Sequence, residues 1–230
     1  YKKRLIQLRE ERWRIKNIGV PELQYLKKTK VMKKSELNYF LNINLNKKTL
    51  LVNFHPVTTA VNKTKIFIVN LLSAIKKSEM QAIFTYPNAD KSNEIIINEI
   101  KKFIKKDKFQ KYIFIKNAGA ELYANLLRNC YAMIGNSSSG IVEAASFKLP
   151  VINIGNRQKG KVFPKNVMQS GHSKKDIYNF ICKISKNSYK KKLLNLINPY
   201  EQNVSPKQIA NMISKITTKN QTVSKRFIDL

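Results

Sequence analysis

Five short apolar runs punctuate a mostly polar chain, at 50–54, 80–86, 112–115, 131–134 and 151–154, and each ends in small or polar residues. Runs this short, rich in β-branched and aromatic residues and bounded by turn signals, read as strands of a sheet covered on both faces. Between them, apolar residues recur at helical spacing over 61–77, 93–106 and 121–129, and again at Ile141, Ala144, Ala145 and Phe147. Ahead of them, 1–9 reads as the end of a helix, 13–18 as a further short strand, and 22–28 and 33–40 as helices. After the last strand, amphipathic helices are predicted at 174–186, 189–197 and 206–216. Strand and helix alternate over about six units, which predicts an α/β fold built on a doubly wound parallel sheet, Rossmann-like. Short right-handed crossovers then bring the loops carrying His55, Asn88, Asn117, Ser137 and Arg157 to one rim of that sheet.

The turns on this rim carry the candidate chemistry. His55-Pro56 and Tyr86-Pro87 close two strands, because proline cannot donate to a sheet ladder. His55 therefore stands at a strand's carboxyl end, where it is either a hydrogen-bonding support or a group that acts on a ligand. Asn88 and Asp90 fit an Asx turn as well as ligand contacts. Gly135-Asn136-Ser137-Ser138-Ser139-Gly140 joins a strand to a helix. Free N–H groups and the helix dipole there favour an anion, and the Ser137, Ser138 and Ser139 hydroxyls add donors. A serine-capped helix without a ligand fits the same residues. Glu143, one turn further on, either complements the helix start or accepts hydrogen bonds from a ligand. Arg157, in the basic loop 156–161, suits two-pronged pairing with a carboxylate or phosphate, or is a solvated loop residue.

Composition narrows the partners. Lysine and arginine total 44 against 14 acidic residues, a net charge of +30 that alone would suit nucleic acid. The lysines are dispersed along helix-like segments, which makes solvated faces, and no RNA-binding aromatic signature or zinc-finger spacing accompanies them. Nucleic acid is therefore not expected as the partner. Cys130 and Cys182 lie in apolar surroundings without metal-ligand spacing, which fits a reduced pair in the cytoplasm. No metal and no cofactor is expected: the 135–140 loop lacks the glycine triplet that binds NAD. No apolar run approaches a membrane span, so no membrane partner is expected.

The serine loop with Glu143, followed by Pro150-Val151-Ile152-Asn153-Ile154-Gly155-Asn156-Arg157-Gln158-Lys159-Gly160, closely resembles the hydrolysing UDP-N-acetylglucosamine 2-epimerases. In the related non-hydrolysing enzymes the serine loop is an aspartate-serine-glycine-glycine turn, and the Arg-Gln-x-Gly wording is missing. His55-Pro56-Val57-Thr58 and Tyr86-Pro87-Asn88-Ala89-Asp90 match upstream in the family's order. Asn117-Ala118, Lys161 and Glu201-Gln202 depart from it, where the family has serine-leucine, arginine and a glycine-aspartate-glycine turn.

The resemblance implies the UDP-binding, carboxyl-terminal half of a two-domain GT-B-type fold. Residues 1–12 would end a helix from a missing N-terminal catalytic domain, 13–205 would form the Rossmann-like domain, and 206–230 a crossover helix and tail. It implies that His55 contacts the diphosphate and acts in catalysis, and that Ser137, Ser138, Asn88, Glu143 and Arg157 bind UDP, Glu143 through the ribose. The activity implied is release of N-acetylmannosamine from UDP-N-acetylglucosamine through a glycal, for sialic-acid-type sugars. A homo-oligomer is compatible with it. Three other readings stay open: a UDP-N,N'-diacetylbacillosamine 2-epimerase, half of a nucleotide-sugar glycosyltransferase, and a basic nucleic-acid-binding domain.

Overall fold

Side-chain alternation along the strands accounts for the centre of the molecule. The computed structural model describes residues 1–217. In it, β1 (Thr49–Asn53), β2 (Gln81–Thr85), β3 (Tyr112–Ile115), β4 (Ala132–Gly135), β5 (Val151–Ile154) and β6 (Val167–Ser170) form one sheet, in the order β3-β2-β1-β4-β5-β6. Every adjacent pair is parallel. Parallel strands need crossovers, and the helices that make them cover both faces. The helices are α1 (Lys2–Gln7), α2 (Glu22–Lys28), α3 (Lys34–Leu41), α4 (Thr64–Ser78), α5 (Asn93–Lys105), α6 (Gly119–Asn129), α7 (Ser139–Val142), α8 (Lys174–Ile184), α9 (Asn187–Lys191) and α10 (Pro206–Thr217).

On one face, Leu50, Val52, Ala82, Phe84, Ile134 and Ile152 pack beneath α4, α5 and α8 through Ile68, Leu71, Ile75, Ile96, Ile100, Ile177 and Ile181. On the other, Leu51, Ile83, Met133 and Val151 meet Leu37 and Leu41 of α3 and Leu126 and Leu127 of α6. Each fully buried leucine, isoleucine or phenylalanine stabilises the fold by about 1.5–3 kcal/mol through area removed from water. Phe84 adds edge-on contacts to Phe103 and Tyr112, with ring centroids 6.2 and 6.4 Å away.

Three expectations change. Residues 13–18 are not a strand: Arg12–Arg14 is a 3₁₀ turn. There the Arg14 guanidinium lies 4.4 Å from the exposed Trp13 ring and pairs with Glu11 at 2.5 Å. The sixth strand is instead β6, a half-buried edge ending in Gln169 and Ser170. Third, the helix expected over 189–197 is only the short α9; beyond it Leu193 is buried while Leu194 and Ile197 face solvent.

Contacts divide the chain into two compact units, Leu26–Asn198 and a second formed by Tyr1–Tyr25 with the segment from Pro199. The sheet lies wholly in the first. In the second, the Val20 N–H donates to the Tyr200 carbonyl at 3.0 Å and Gln24 Nε2 to the Val204 carbonyl at 2.6 Å. Of the expected segment 206–230, α10 opens the stretch and the tail lies outside the described residues.

Candidate functional site

The strand order reverses between β1 and β4, and in open parallel sheets the crevice beyond that switch point is where ligands bind. Gly135 closes β4 there with φ +147°, and a Cβ on it would stand 1.9 Å from the Asn53 carbonyl oxygen of β1. Only glycine lets the two strand ends come this close. The next residue, Asn136, is completely buried and reaches across the gap. Its Oδ1 accepts from the His55 N–H at 2.7 Å, and its Nδ2 donates to the His55 carbonyl at 2.8 Å. Its own carbonyl accepts from Gln158 Nε2 at 2.8 Å and Arg157 Nη1 at 3.5 Å. One asparagine thus ties together the loops after β1, β4 and β5.

His55 is buried at the centre of this rim. Its Nδ1 accepts from the Asn88 N–H at 3.0 Å, which leaves the ring proton on Nε2. Burial first, and then the Arg157 charge, lower its pKa to about 4, with Asp90 opposing them. At neutral pH the imidazole is therefore neutral, and it offers a neutral Nε2–H rather than the charged hydrogen bond a free histidine could supply. Arg157 Nη2 stands 3.7 Å from Asp90 Oδ2, so His55, Asn88, Asp90 and Arg157 share one corner.

The serine loop is built differently from the expected helix start. α7 is a single turn followed by a 3₁₀ turn at Ala144–Phe147, so the dipole behind the loop is short. Ser137 Oγ accepts from the Ser139 N–H at 3.3 Å, Ser138 is exposed, and Ser139 is buried. Ser139 donates to Glu143 Oε2 at 2.6 Å, which places Glu143 beside this loop rather than in the His55 corner. An open cavity of about 300 Å³ lies beside the loops after β2 and β3, lined by Thr85, Tyr86, Asn117, Ala118, Gly119 and Tyr123 among others. That volume is at the lower end of the range for small-molecule pockets.

The family profile for UDP-N-acetylglucosamine 2-epimerase matches residues 1–214. The chain belongs to the UDP-N-acetylglucosamine 2-epimerase family. It is similar over its whole length, at 37% identity, to a GDP/UDP-N,N'-diacetylbacillosamine 2-epimerase (hydrolyzing) of Campylobacter jejuni, and at 29% identity over 99% of its length to a UDP-N-acetylglucosamine 2-epimerase of Neisseria meningitidis. It spans 59% of each of these relatives. Among solved structures, the N. meningitidis UDP-GlcNAc 2-epimerase bound to UDP-GlcNAc superposes with a TM-score of 0.72 at 16% identity, over 95% of this chain and 59% of that one. The MnaA–UDP co-structure of S. aureus gives 0.70 at 14% identity, over 98% of this chain and 60% of that one. At these identities the two superpositions establish a shared fold.

Within this epimerase-family chain, the rim gathers His55, Asn88, Arg157 and the start of the serine loop, as the alternation of elements predicted. The residues not foreseen are Asn136, Gln158 and Tyr123, which hold the rim rather than face outward. Asn136 reads in sequence as an ordinary turn residue. Only the adjacency of β1 and β4 reveals its partner, 81 positions away.

Proposed function

We propose that this chain is the UDP-binding part of a hydrolysing 2-epimerase, which releases N-acetylmannosamine and UDP from UDP-N-acetylglucosamine and water. The observation that carries the reading is the rim tied by Asn136, with the His55 and Arg157 side chains and the serine loop converging at the switch point. A diphosphate is matched there by the Arg157 guanidinium and by the neutral Nε2–H of His55, without the desolvation cost of a buried imidazolium. In the reaction a base removes the C2 proton and the C1–oxygen bond breaks, so that UDP leaves and a glycal forms. Water then adds across the new double bond, hydroxyl to C1 and proton to C2 on the opposite face.

His55 donates a hydrogen bond to the departing diphosphate and Arg157 balances its charge. Ser137 and Ser138 bind its oxygens, Asn88 orients His55 through its backbone, and Glu143 accepts from the ribose. The carboxylates at this rim are already engaged, Asp90 with Arg157 and Glu143 with Ser139. The groups that move the C2 proton are therefore assigned to the part of the relatives' length that this chain does not span, the amino-terminal domain of a two-domain enzyme. The setting is cytoplasmic, where UDP-sugars are made, and the product is a precursor of sialic-acid-type sugars. A second substrate has its own support: similarity to the C. jejuni enzyme, named for GDP/UDP-N,N'-diacetylbacillosamine, and to a UDP-N,N'-diacetylbacillosamine 2-epimerase of Legionella pneumophila favours UDP-N,N'-diacetylbacillosamine, whose sugar would project away from this rim.

Calorimetry with UDP tests the reading. UDP binding is expected, and Ser137→Glu with Ser138→Glu is expected to abolish it by repulsion and blocked N–H groups. Binding of a single-stranded oligonucleotide with a steep salt slope, in place of UDP, would overturn it.

A further inference from the structure

A chain of hydrogen bonds runs beneath the rim in a single direction. Thr85 Oγ1, at the end of β2, donates to Asn53 Oδ1 at 2.6 Å. Asn53 Nδ2, at the end of β1, donates to the Tyr123 hydroxyl of α6 at 2.9 Å. The Tyr123 hydroxyl meets Ser139 Oγ, and Ser139 Oγ donates to Glu143 Oε2 at 2.6 Å. The polarity follows from the two ends. A carboxylate only accepts, so the Ser139 proton points to Glu143, and the proton between Tyr123 and Ser139 must come from Tyr123. Asn53 then fills the Tyr123 acceptor site and Thr85 fills that of Asn53.

Every donor in this chain points toward one carboxylate. Consecutive hydrogen bonds of the same sense polarise one another, and the last, to a charged acceptor, is the strongest. Burial, and then the Glu143 charge, raise the pKa of Tyr123 far above its usual value, so it remains a donor at any physiological pH. Thr85 and Tyr123 also line the 300 Å³ cavity beside the loops after β2 and β3. The chain therefore borders the space beside the loops after β2 and β3 and ends on the group assigned to the ribose.

We propose that Tyr123 is a positioning residue for nucleotide recognition, holding the Glu143 carboxylate through Ser139 in the orientation that receives the ribose hydroxyls. This rests on the UDP-binding reading above. A carboxylate offers about four lone-pair sites, and acceptance from Ser139 occupies one of them and fixes the plane of the group. The Ser139 hydroxyl, committed to Glu143, is correspondingly not a phosphate donor. Ser137 and Ser138 have that role.

The experiment compares UDP with 2′,3′-dideoxy-UDP by calorimetry on the full chain. The wild type is expected to prefer UDP by about tenfold or more, the scale of hydrogen bonds to a charged acceptor. Glu143→Gln is expected to remove most of that preference. Tyr123→Phe deletes one oxygen, and is expected to cut the preference by at least about threefold while leaving the affinity for dideoxy-UDP unchanged. A purely structural role would weaken both ligands together. Equal loss for both ligands, or an intact preference, overturns the proposal. Should Tyr123→Phe fail to fold by circular dichroism, Ser139→Ala breaks the chain one step later and is read in the same way. Failure of the wild type to bind UDP overturns the underlying reading as well. UDP binding with a preference untouched by Glu143→Gln overturns this inference together with the ribose role of Glu143, and leaves UDP binding at the rim standing.

Discussion

Replacing Asn136 by alanine tests whether the rim is held as described. The substitution deletes the partner of two buried main-chain groups of His55, its N–H at 2.7 Å and its carbonyl at 2.8 Å. A buried polar group left unpaired costs about 1–3 kcal/mol, and water entering the vacated space offsets part of it. The net expectation is a loss of about 2–4 kcal/mol. For a chain of this size each kcal/mol is worth about 2–4 °C in melting temperature, giving a fall of about 5–15 °C. The contacts to Gln158 and Arg157 use the Asn136 main-chain carbonyl and survive. The assay is urea unfolding followed by far-UV circular dichroism. The single tryptophan, Trp13, lies outside the unit that holds the sheet and is a poor reporter. The midpoint should move at unchanged slope. Asn136→Asp keeps the acceptor but sets a charged oxygen against the His55 carbonyl, and should cost more and weaken UDP binding by repulsion. A loss under about 0.5 kcal/mol for Asn136→Ala would refute the account of the rim.

Acid should weaken the fold through His55. Its folded pKa, lowered to about 4 from 6.5, lies below the unfolded value, so the unfolded state takes up the proton first. Stability is then full above about pH 6.5 and falls as pH drops toward 4, by roughly 3 kcal/mol in all. His172, also shifted down by burial, acts in the same sense. His55→Gln should remove part of the slope between pH 7 and 5 in urea titrations, and an unchanged slope would exclude this source. Gly135→Ala should abolish folding or UDP binding, because its Cβ would collide with the Asn53 carbonyl; a native-like dichroism spectrum with full affinity would contradict the close approach of β1 and β4. These 230 residues alone should release no N-acetylmannosamine from UDP-N-acetylglucosamine. Steady turnover seen by NMR would mean that the acid and base groups lie within them.

The central strands were legible because burial on both faces writes them as unbroken apolar runs, such as Leu50-Leu51-Val52. β6 was not, since an edge strand need bury only part of each side chain and can end in Gln169 and Ser170. The segment 13–18 imitates a strand by setting Trp13, Ile15 and Ile18 among polar residues, yet of these only Ile15 is buried. At the site, residues at strand ends could be placed from the alternation of elements alone. The bonding of Tyr123 and Asn53 was not legible, because one reads as a half-polar residue inside an ordinary helix and the other as a polar end to a strand. Their function depends on a partner that only the register of neighbouring strands supplies.

The reversal of strand order also governs when the rim can come into being. β1–β2–β3 and β4–β5–β6 each pair with successive neighbours, so either half can assemble from nearby chain. The seam between them joins segments about eighty positions apart, as His55 and Asn136 are, and such distant pairings are the slow step in folding. Elongation from the amino end must deliver β4 before β1 gains its second neighbour. Until then, the open side of β1 carries Leu51 and Val52 along an unpaired edge, the kind of edge on which chains aggregate. Contacts made across the seam are then late ones. Because pairing across the seam limits the rate, weakening contacts there should slow folding, and the assembly of the rim sets how quickly the native state is reached.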